Sequence, residues 1–398
     1  MSPTPATVRL RWLVLAIFVL SSAINYLDRQ TLAALAPLLQ HEFQLTREQY
    51  GWILGAFSAT YAVSAPLAGA FIDRIGLNRG ISLAVAVWSC AGIATGFTTG
   101  LRGLIGCRVV LGIAESGGVP AAGKAIHQYL RASERALGNA FNQAGVSLGA
   151  MLAPPLAAWF AATRGWRLAF VTTGVLGLLW IPVWNWSARL AGAAPSPKPE
   201  SGAGRSLLRD RRLWAFVLAN ALGMVAYSLW TNWTTQYLVD EHHLTLSESA
   251  WYAWIPPVFA LAGGFAGGWL SRRLMDRGLD APAARLRVCL TAAVLALSAF
   301  AIPAASTPGL ASAGISLSIF AVAAFSVNMY SLPLDAFGSA RAAFAVSMLV
   351  ASYGALQFLI SPVFGRLADL HNWTALSAIA ALTPLAACAV LFAARSVE

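Results

Sequence analysis

Apolar positions run along this chain in blocks of about 20 residues or more, divided by short polar turns, over nearly its whole length. A helix of that length matches a hydrocarbon core about 30 Å thick. The pattern predicts twelve such helices, at residues 10–36, 50–72, 79–98, 102–126, 136–163 and 167–189, then 211–237, 249–274, 286–305, 310–335, 341–367 and 373–394. Between the sixth and the seventh, residues 191–209 turn to Pro, Ser, Gly and basic side chains, the composition of a flexible connector. A break at the midpoint, with similar hydropathy on both sides, is the pattern of a duplicated membrane fold. The expectation is an all-α polytopic membrane protein with two pseudo-symmetric six-helix bundles. Their predicted bounds are residues 1–190 and 210–398, joined by a cytoplasmic linker at 191–209.

Composition agrees with the pattern. Hydrophobic residues make up 58% and charged residues 11% of the chain, where a soluble domain carries about 25% charged. Twelve spans occupy roughly 250 residues, which leaves short loops and no large soluble domain. The net charge of +11 raises the question of nucleic acid, and its placement answers it. Most of the Lys and Arg fall in the N-terminus, the even-numbered loops and the C-terminus, among them Arg9, Arg11, Arg74, Arg79, Lys124, Arg131, Arg209 and Arg273. The odd-numbered loops hold few, Arg47, Arg102, Arg164, Arg167 and Arg366. Under the positive-inside rule this places both termini in the cytoplasm, with no nucleic-acid partner expected. Cys90, Cys107, Cys289 and Cys388 lie in apolar spans without ligand spacing and read as free thiols. The first apolar run leads into a charged cluster rather than a small-residue cleavage site, so no cleavable signal peptide is expected.

The exceptions to the apolar pattern carry the chemistry. A charge at the bilayer centre costs about 2.5–3.5 kcal/mol, so each one needs a partner. The first span contains Asn25-Tyr26-Leu27-Asp28-Arg29, and the fourth contains Arg108 and, seven residues on, Glu115. Two helical turns put Arg108 and Glu115 on one face about 10 Å apart, too far to pair with each other. Asp28 and Arg29 diverge by about 100° around their helix and can serve different neighbours, one of each sign. Such a network can be a static lock between helices. Alternatively, it can be a proton-coupling device, in which a buried carboxylate takes up a proton when its partner leaves.

Two loops add a family signal. Gly69-Ala-Phe-Ile-Asp73-Arg74-Ile-Gly76, followed by Arg79, resembles the cytoplasmic loop signature of the major facilitator superfamily. A degraded copy stands at Gly268 to Arg277, with Arg272 where Asp is expected. Gly69, Asp73, Arg74 and Gly76 are therefore expected to form a gating element. Asn25 to Arg29, Trp88-Ser89, Arg108 to Glu115 and Glu134-Arg135-Ala136 resemble the anion:cation symporter branch, and within it bacterial hexuronate- and galactonate-type proton symporters. Trp230 to Leu238 is similar to the seventh span of that branch, with Thr in place of its Pro, and Asn328-Met-Tyr330-Ser331 to Asp335 to its tenth. The resemblance implies that Asp28 and Glu115 carry protons. It also implies that Arg29 grips a substrate carboxylate, through the planar fork that guanidinium offers, and that Tyr61 faces the same cavity.

A hydroxylated anion needs polar contacts near the midplane. Candidates are Asn25, Tyr26, Tyr61, Asn142, Gln143, Asn232, Asn328, Tyr330 and Ser331, with Trp230, Trp233 and Trp254 as stacking surfaces. Any one of these can instead tie two helices together or sit at the membrane interface. Gly145 and Gly149 in the fifth span allow close packing, and the Gly-Pro-Gly-Gly pattern of drug/proton antiporters is missing there. The expected function is proton-coupled uptake of an organic anion, most readily a hexuronate or aldonate, by alternating access. Smaller mono- or dicarboxylates, aromatic acids, and export or uniport remain open. The expected partners are the substrate, protons and the lipid of a bacterial inner membrane, with the protein as a monomer. No metal or cofactor is expected and no enzymatic role, since the five histidines are scattered and no nucleophile or phosphate-cradling motif is present.

Overall fold

The computed structural model describes residues 5–131, 134–191, 205–337 and 339–395. Most of the predicted linker, residues 192–204, lies outside the described residues, and Arg205–Arg209 form a short 3-10 turn. Seventeen α-helices follow one another: α1 (Pro5–Ala34), α2 (Ala36–Phe43), α3 (Arg47–Ile75), α4 (Leu77–Thr95), α5 (Leu101–Glu115), α6 (Gly118–Tyr129), α7 (Arg135–Thr163), α8 (Trp166–Ala191), α9 (Arg211–Gly223), α10 (Val225–His242), α11 (Leu246–Ala253), α12 (Ile255–Asp276), α13 (Ala281–Ala296), α14 (Pro308–Met329), α15 (Leu332–Phe337), α16 (Ser339–Asp369) and α17 (Trp373–Arg395). Grouped by continuity, they give eleven stretches long and apolar enough to span a bilayer, and a twelfth in α3, which bends by 51°. The bend separates Arg47–Ala65 from Leu67–Ile75.

Several of the other interruptions recur at a regular interval. The first, fourth, seventh and tenth spans are each broken, at Leu35, at Ser116-Gly117, at Met224 and at Tyr330-Ser331. A defect recurring every third span is what an internal three-helix repeat produces. The eighth span breaks as well, at Trp254, just before Pro256 and Pro257.

Small residues set the spacing of the helices. A Cβ on Gly149 would lie 2.1 Å from the Ala23 carbonyl oxygen, and one on Gly145 would lie 2.3 Å from Val19, so α7 lies directly on the backbone of α1. This is the close approach expected from the Gly145-x-x-x-Gly149 spacing. The two bundles meet in the same manner along α3 and α16. There a Cβ at Gly51 would sit 2.3 Å from the Ser361 carbonyl oxygen, and one at Gly365 would sit 2.1 Å from that of Arg47.

The bundles are latched at the end away from the termini. Arg47, in the first turn of α3, forks onto Asp240 of α10 through Nε (2.9 Å) and Nη2 (2.8 Å). Its Nη1 lies 3.7 Å from Asp369 of α16. Asp369 also accepts the backbone N–H groups of Arg47 (2.9 Å) and Glu48 (3.0 Å), so a carboxylate from the second bundle caps a helix of the first. Gln40 donates to Gln236 at 3.0 Å, Gln236 donates to Asp240 at 2.8 Å, and the Tyr50 and Trp233 rings meet edge to face beneath them. Nearby, Arg167 hydrogen-bonds Glu42 and holds its carboxyl below the usual carboxylate range.

The motif Gly69 to Gly76 lies at the opposite end. Asp73 accepts from Lys124 Nζ at 2.7 Å, tying α3 to α6, and Arg74 is exposed. Gly76 has φ +87 and ψ 155, a conformation that only glycine adopts readily, and it turns the chain from α3 into α4. Gly69 does not serve a close approach here, because a Cβ there would meet Pro120 at an ordinary 3.7 Å.

Candidate functional site

Between the bundles lies a cavity lined from the first by Tyr26, Gln30, Gln143 and Ser147 and from the second by Tyr227, Trp230, Thr231, Asn232, Pro256 and Ile319. Polar amides and hydroxyls alternate with aromatic and apolar walls, the lining of a small-molecule site. Tyr26 joins this cavity to the charges: its ring lies 4.9 Å from Arg29 Cζ. The rings of Phe57 (4.6 Å) and Tyr61 (5.4 Å) also face that guanidinium. The cation thus faces three electron-rich rings, each worth about 0.5–2 kcal/mol. Tyr227 lines the cavity itself, and Tyr330 and Tyr353 are half-buried.

Arg29 is paired with Glu115, which stands on the last residue of α5 where the fourth span breaks. Nη2 at 2.7 Å and Nε at 3.2 Å both donate to one oxygen, Oε2, while the buried Oε1 accepts nothing among the described residues. The first and fourth spans are therefore joined by a charge pair, as the spacing predicts. Two donors on one oxygen leave half of the carboxylate's capacity unused.

Asp28 turns the other way. Its Oδ1 accepts from Thr173 Oγ1 of α8 at 2.8 Å, and its buried Oδ2 has no hydrogen-bond partner. Room for the carboxylate comes from Gly92 of α4, where a Cβ would be 3.1 Å from Oδ1. Arg108 is 2% exposed, and its Nε and Nη2 have no hydrogen-bond partner among the described residues. It does not form the expected contact pair with Asp28, which is hydrogen-bonded to α8 instead, and acts on Asp28 and Glu115 at longer range.

The other candidates divide. Asn232 lines the cavity, and its Nδ2 donates to the Ser228 carbonyl at 2.8 Å. Asn142 does not line it: it accepts from Ser22 at 2.8 Å and ties α7 to α1, while the next residue, Gln143, turns to the cavity. Asn328 is 1% exposed and donates to the Gly267 (3.2 Å) and Ala324 (2.9 Å) carbonyls, joining α14 to α12. Ser331 donates to the Val327 carbonyl of its own span. Asn142 and Asn328 thus tie neighbouring helices together in this conformation and Ser331 bonds within its own span, because an unpaired amide or hydroxyl in an apolar bundle is costly. Asn25 is buried with Nδ2 unpartnered. Trp230 lines the cavity, Trp233 is buried against Tyr50, and Trp254 is 40% exposed outside the lining. Sequence reasoning passed over Gln30, Thr173, Tyr227 and Tyr353. For each of them, a polar residue inside a predicted span is the available signal, too common to single them out without knowing how each helix is rotated.

Comparison with known proteins fits this geometry. The chain is 29% identical over 407 aligned positions to the hexuronate transporter of Escherichia coli K12, covering 96% of this chain and 93% of that one. It is 30% identical to the galacturonate transporter of Dickeya chrysanthemi over 66% of this chain and 81% of that one. Among solved structures, a bacterial homolog of the human lysosomal transporter Spinster, crystallised inward-facing and occupied, superposes with a TM-score of 0.78 at 21% identity. That superposition covers 99% of this chain and 98% of the other and bears on the fold. The sequence profile of the Major Facilitator Superfamily matches residues 18–348. With two six-helix bundles closing on a central cavity, this chain is a multi-pass membrane transporter and belongs to the major facilitator superfamily.

Proposed function

We propose that the protein takes up a sugar-acid anion, of the hexuronate or aldonate kind, together with protons across a bacterial inner membrane. The observation that carries this reading is the Arg29–Glu115 pair, which stands one side chain from a polar cavity. Guanidinium binds carboxylate in a bidentate fork, yet both donors of one edge of Arg29 rest on a single glutamate oxygen. A proton on Glu115 removes that attraction and frees the fork for a substrate carboxylate. Departure of the substrate returns Arg29 to Glu115 and expels the proton. Binding of anion and proton are then linked without further moving parts. Gln30, Gln143, Thr231 and Asn232 offer donors and acceptors to hydroxyls, and Trp230 offers a flat face to a sugar ring. The printed names of the relatives support the substrate class.

With both termini in the cytoplasm, the end latched by Arg47 is the outer one. Transport proceeds by rocking of the bundles around the cavity, with residues 191–209 as their linker and the protein acting as a monomer. The test is uptake into proteoliposomes under an imposed pH gradient, acid outside, with hexuronates, aldonates, and simple mono- and dicarboxylates. Accumulation of a sugar acid that collapses with the gradient is expected. Gradient-independent equilibration, or preference for a small carboxylate, would overturn the reading.

A further inference from the structure

We propose that Thr173 is a positioning residue for proton binding: its hydroxyl hydrogen goes to Asp28 while that carboxylate is charged, and to the Phe170 carbonyl while it is protonated. This rests on the reading of Asp28 as a proton carrier.

The geometry is a hydroxyl between two acceptors. Thr173 Oγ1 lies 2.8 Å from Asp28 Oδ1 and 3.0 Å from the Phe170 carbonyl oxygen of its own helix. A hydroxyl has one hydrogen and can satisfy one of these at a time, while its oxygen can still accept. Against a charged Asp28, the hydrogen belongs on the carboxylate, where a hydrogen bond to an ion is about twice as strong as a neutral one. When a proton arrives, Asp28 becomes the donor through Oδ1 to Thr173 Oγ1, and the threonine hydrogen turns to Phe170. The proton enters from one side of the membrane and leaves to the other, and no other covalent bond changes. Both states are fully hydrogen-bonded at this pair of oxygens, so the switch costs a rotation and no broken contact.

The surroundings make this single bond decisive. The charged groups facing Asp28 are Arg29 on its own helix and Arg108 and Glu115 on α5. Arg29 and Glu115 pair with each other. Arg108 makes no ion pair with Asp28 among the described residues, and α4 brings Gly92 against the carboxylate. Thr173, 6% exposed, supplies the one hydrogen bond that Asp28 accepts among the described residues.

The experiment compares wild type, Thr173→Val, Thr173→Ala, Thr173→Ser and Asp28→Asn in proteoliposomes at clamped voltage, reading the pH midpoint of the alkaline limb of uptake. The hydroxyl binds the charged carboxylate about twice as strongly as the neutral acid, so its loss should move that midpoint upward by about one pH unit in the Val and Ala variants. Thr173→Ser should keep the wild-type midpoint. If Thr173→Val does not fold, Thr173→Ala decides. Wild-type midpoints in both, or a Ser variant shifted with Ala, would overturn the role of the hydroxyl while leaving Asp28 in place, provided that Asp28→Asn abolishes pH-driven accumulation. If Asp28→Asn still accumulates substrate with the wild-type pH profile, Asp28 is not the carrier and both ideas fall.

Discussion

Two acids and two bases sit inside the first bundle, and each meets a different fate. Glu115 is wholly buried and takes its charge balance from Arg29, whose side chain is 22% exposed. Removing one partner of such a pair costs about 3–5 kcal/mol, so alanine scanning there would report folding rather than transport. Glu115→Gln keeps the shape and an acceptor oxygen, and it mimics the protonated state. It should abolish accumulation driven by a pH gradient while leaving counterflow exchange measurable, and full gradient-driven uptake would refute the coupling role. Arg29→Lys keeps the charge but loses the fork and its contact with the Tyr26, Phe57 and Tyr61 rings. Its substrate Kd should rise by about tenfold or more, equivalent to roughly 1.4 kcal/mol. An unchanged Kd, read by thermal-shift titration, would remove Arg29 from the binding site.

At the scale of elements, the sequence was more legible along helices than between them. The twelve spans and the midpoint break could be read because a bilayer demands about 20 apolar residues per crossing. The Arg29–Glu115 contact could be read because a buried charge needs an opposite one. Arg47, Asp240 and Asp369 could not, since charges in short loops look solvated or topological until the fold brings three chain segments together. For the same reason Asn142 and Asn328 looked like ligand contacts, although their amides are taken up by Ser22, Gly267 and Ala324. The latch makes a prediction of its own. Asp240 is 7% exposed and holds the Arg47 fork, while Asp369 is 31% exposed and mainly caps α3. Asp240→Asn should therefore shift the protein towards opening at that end by more than Asp369→Asn. A latch worth about 1–2 kcal/mol corresponds to a five- to thirtyfold change in population. Distance measurements between spin labels on α2 and α11 would show it, and equal distributions in both variants and wild type would rule it out.

At the scale of the whole molecule, the halves are alike in architecture and unlike in chemistry. Breaks at every third span are shared by both, whereas the intramembrane charges Asp28, Arg29, Arg108 and Glu115 all belong to the first. The second bundle supplies Tyr227, Trp230, Thr231 and Asn232 to the cavity and no ion. That division has an electrical consequence. The four ions sum to zero, so the unloaded site carries no net charge as the bundles rock. If Asp28 and Glu115 each take a proton, a monoanion enters with one surplus positive charge, and a dianion enters with none. A surplus charge is driven by about 2.3 kcal/mol per 100 mV. Inside-negative voltage, set by a potassium gradient with valinomycin, should then accelerate uptake of a sugar acid with one carboxylate and leave one with two carboxylates unaffected. Indifference of the monoanion would mean that one acid titrates per cycle. The valence of the cargo thus decides whether the cell's voltage does work on it.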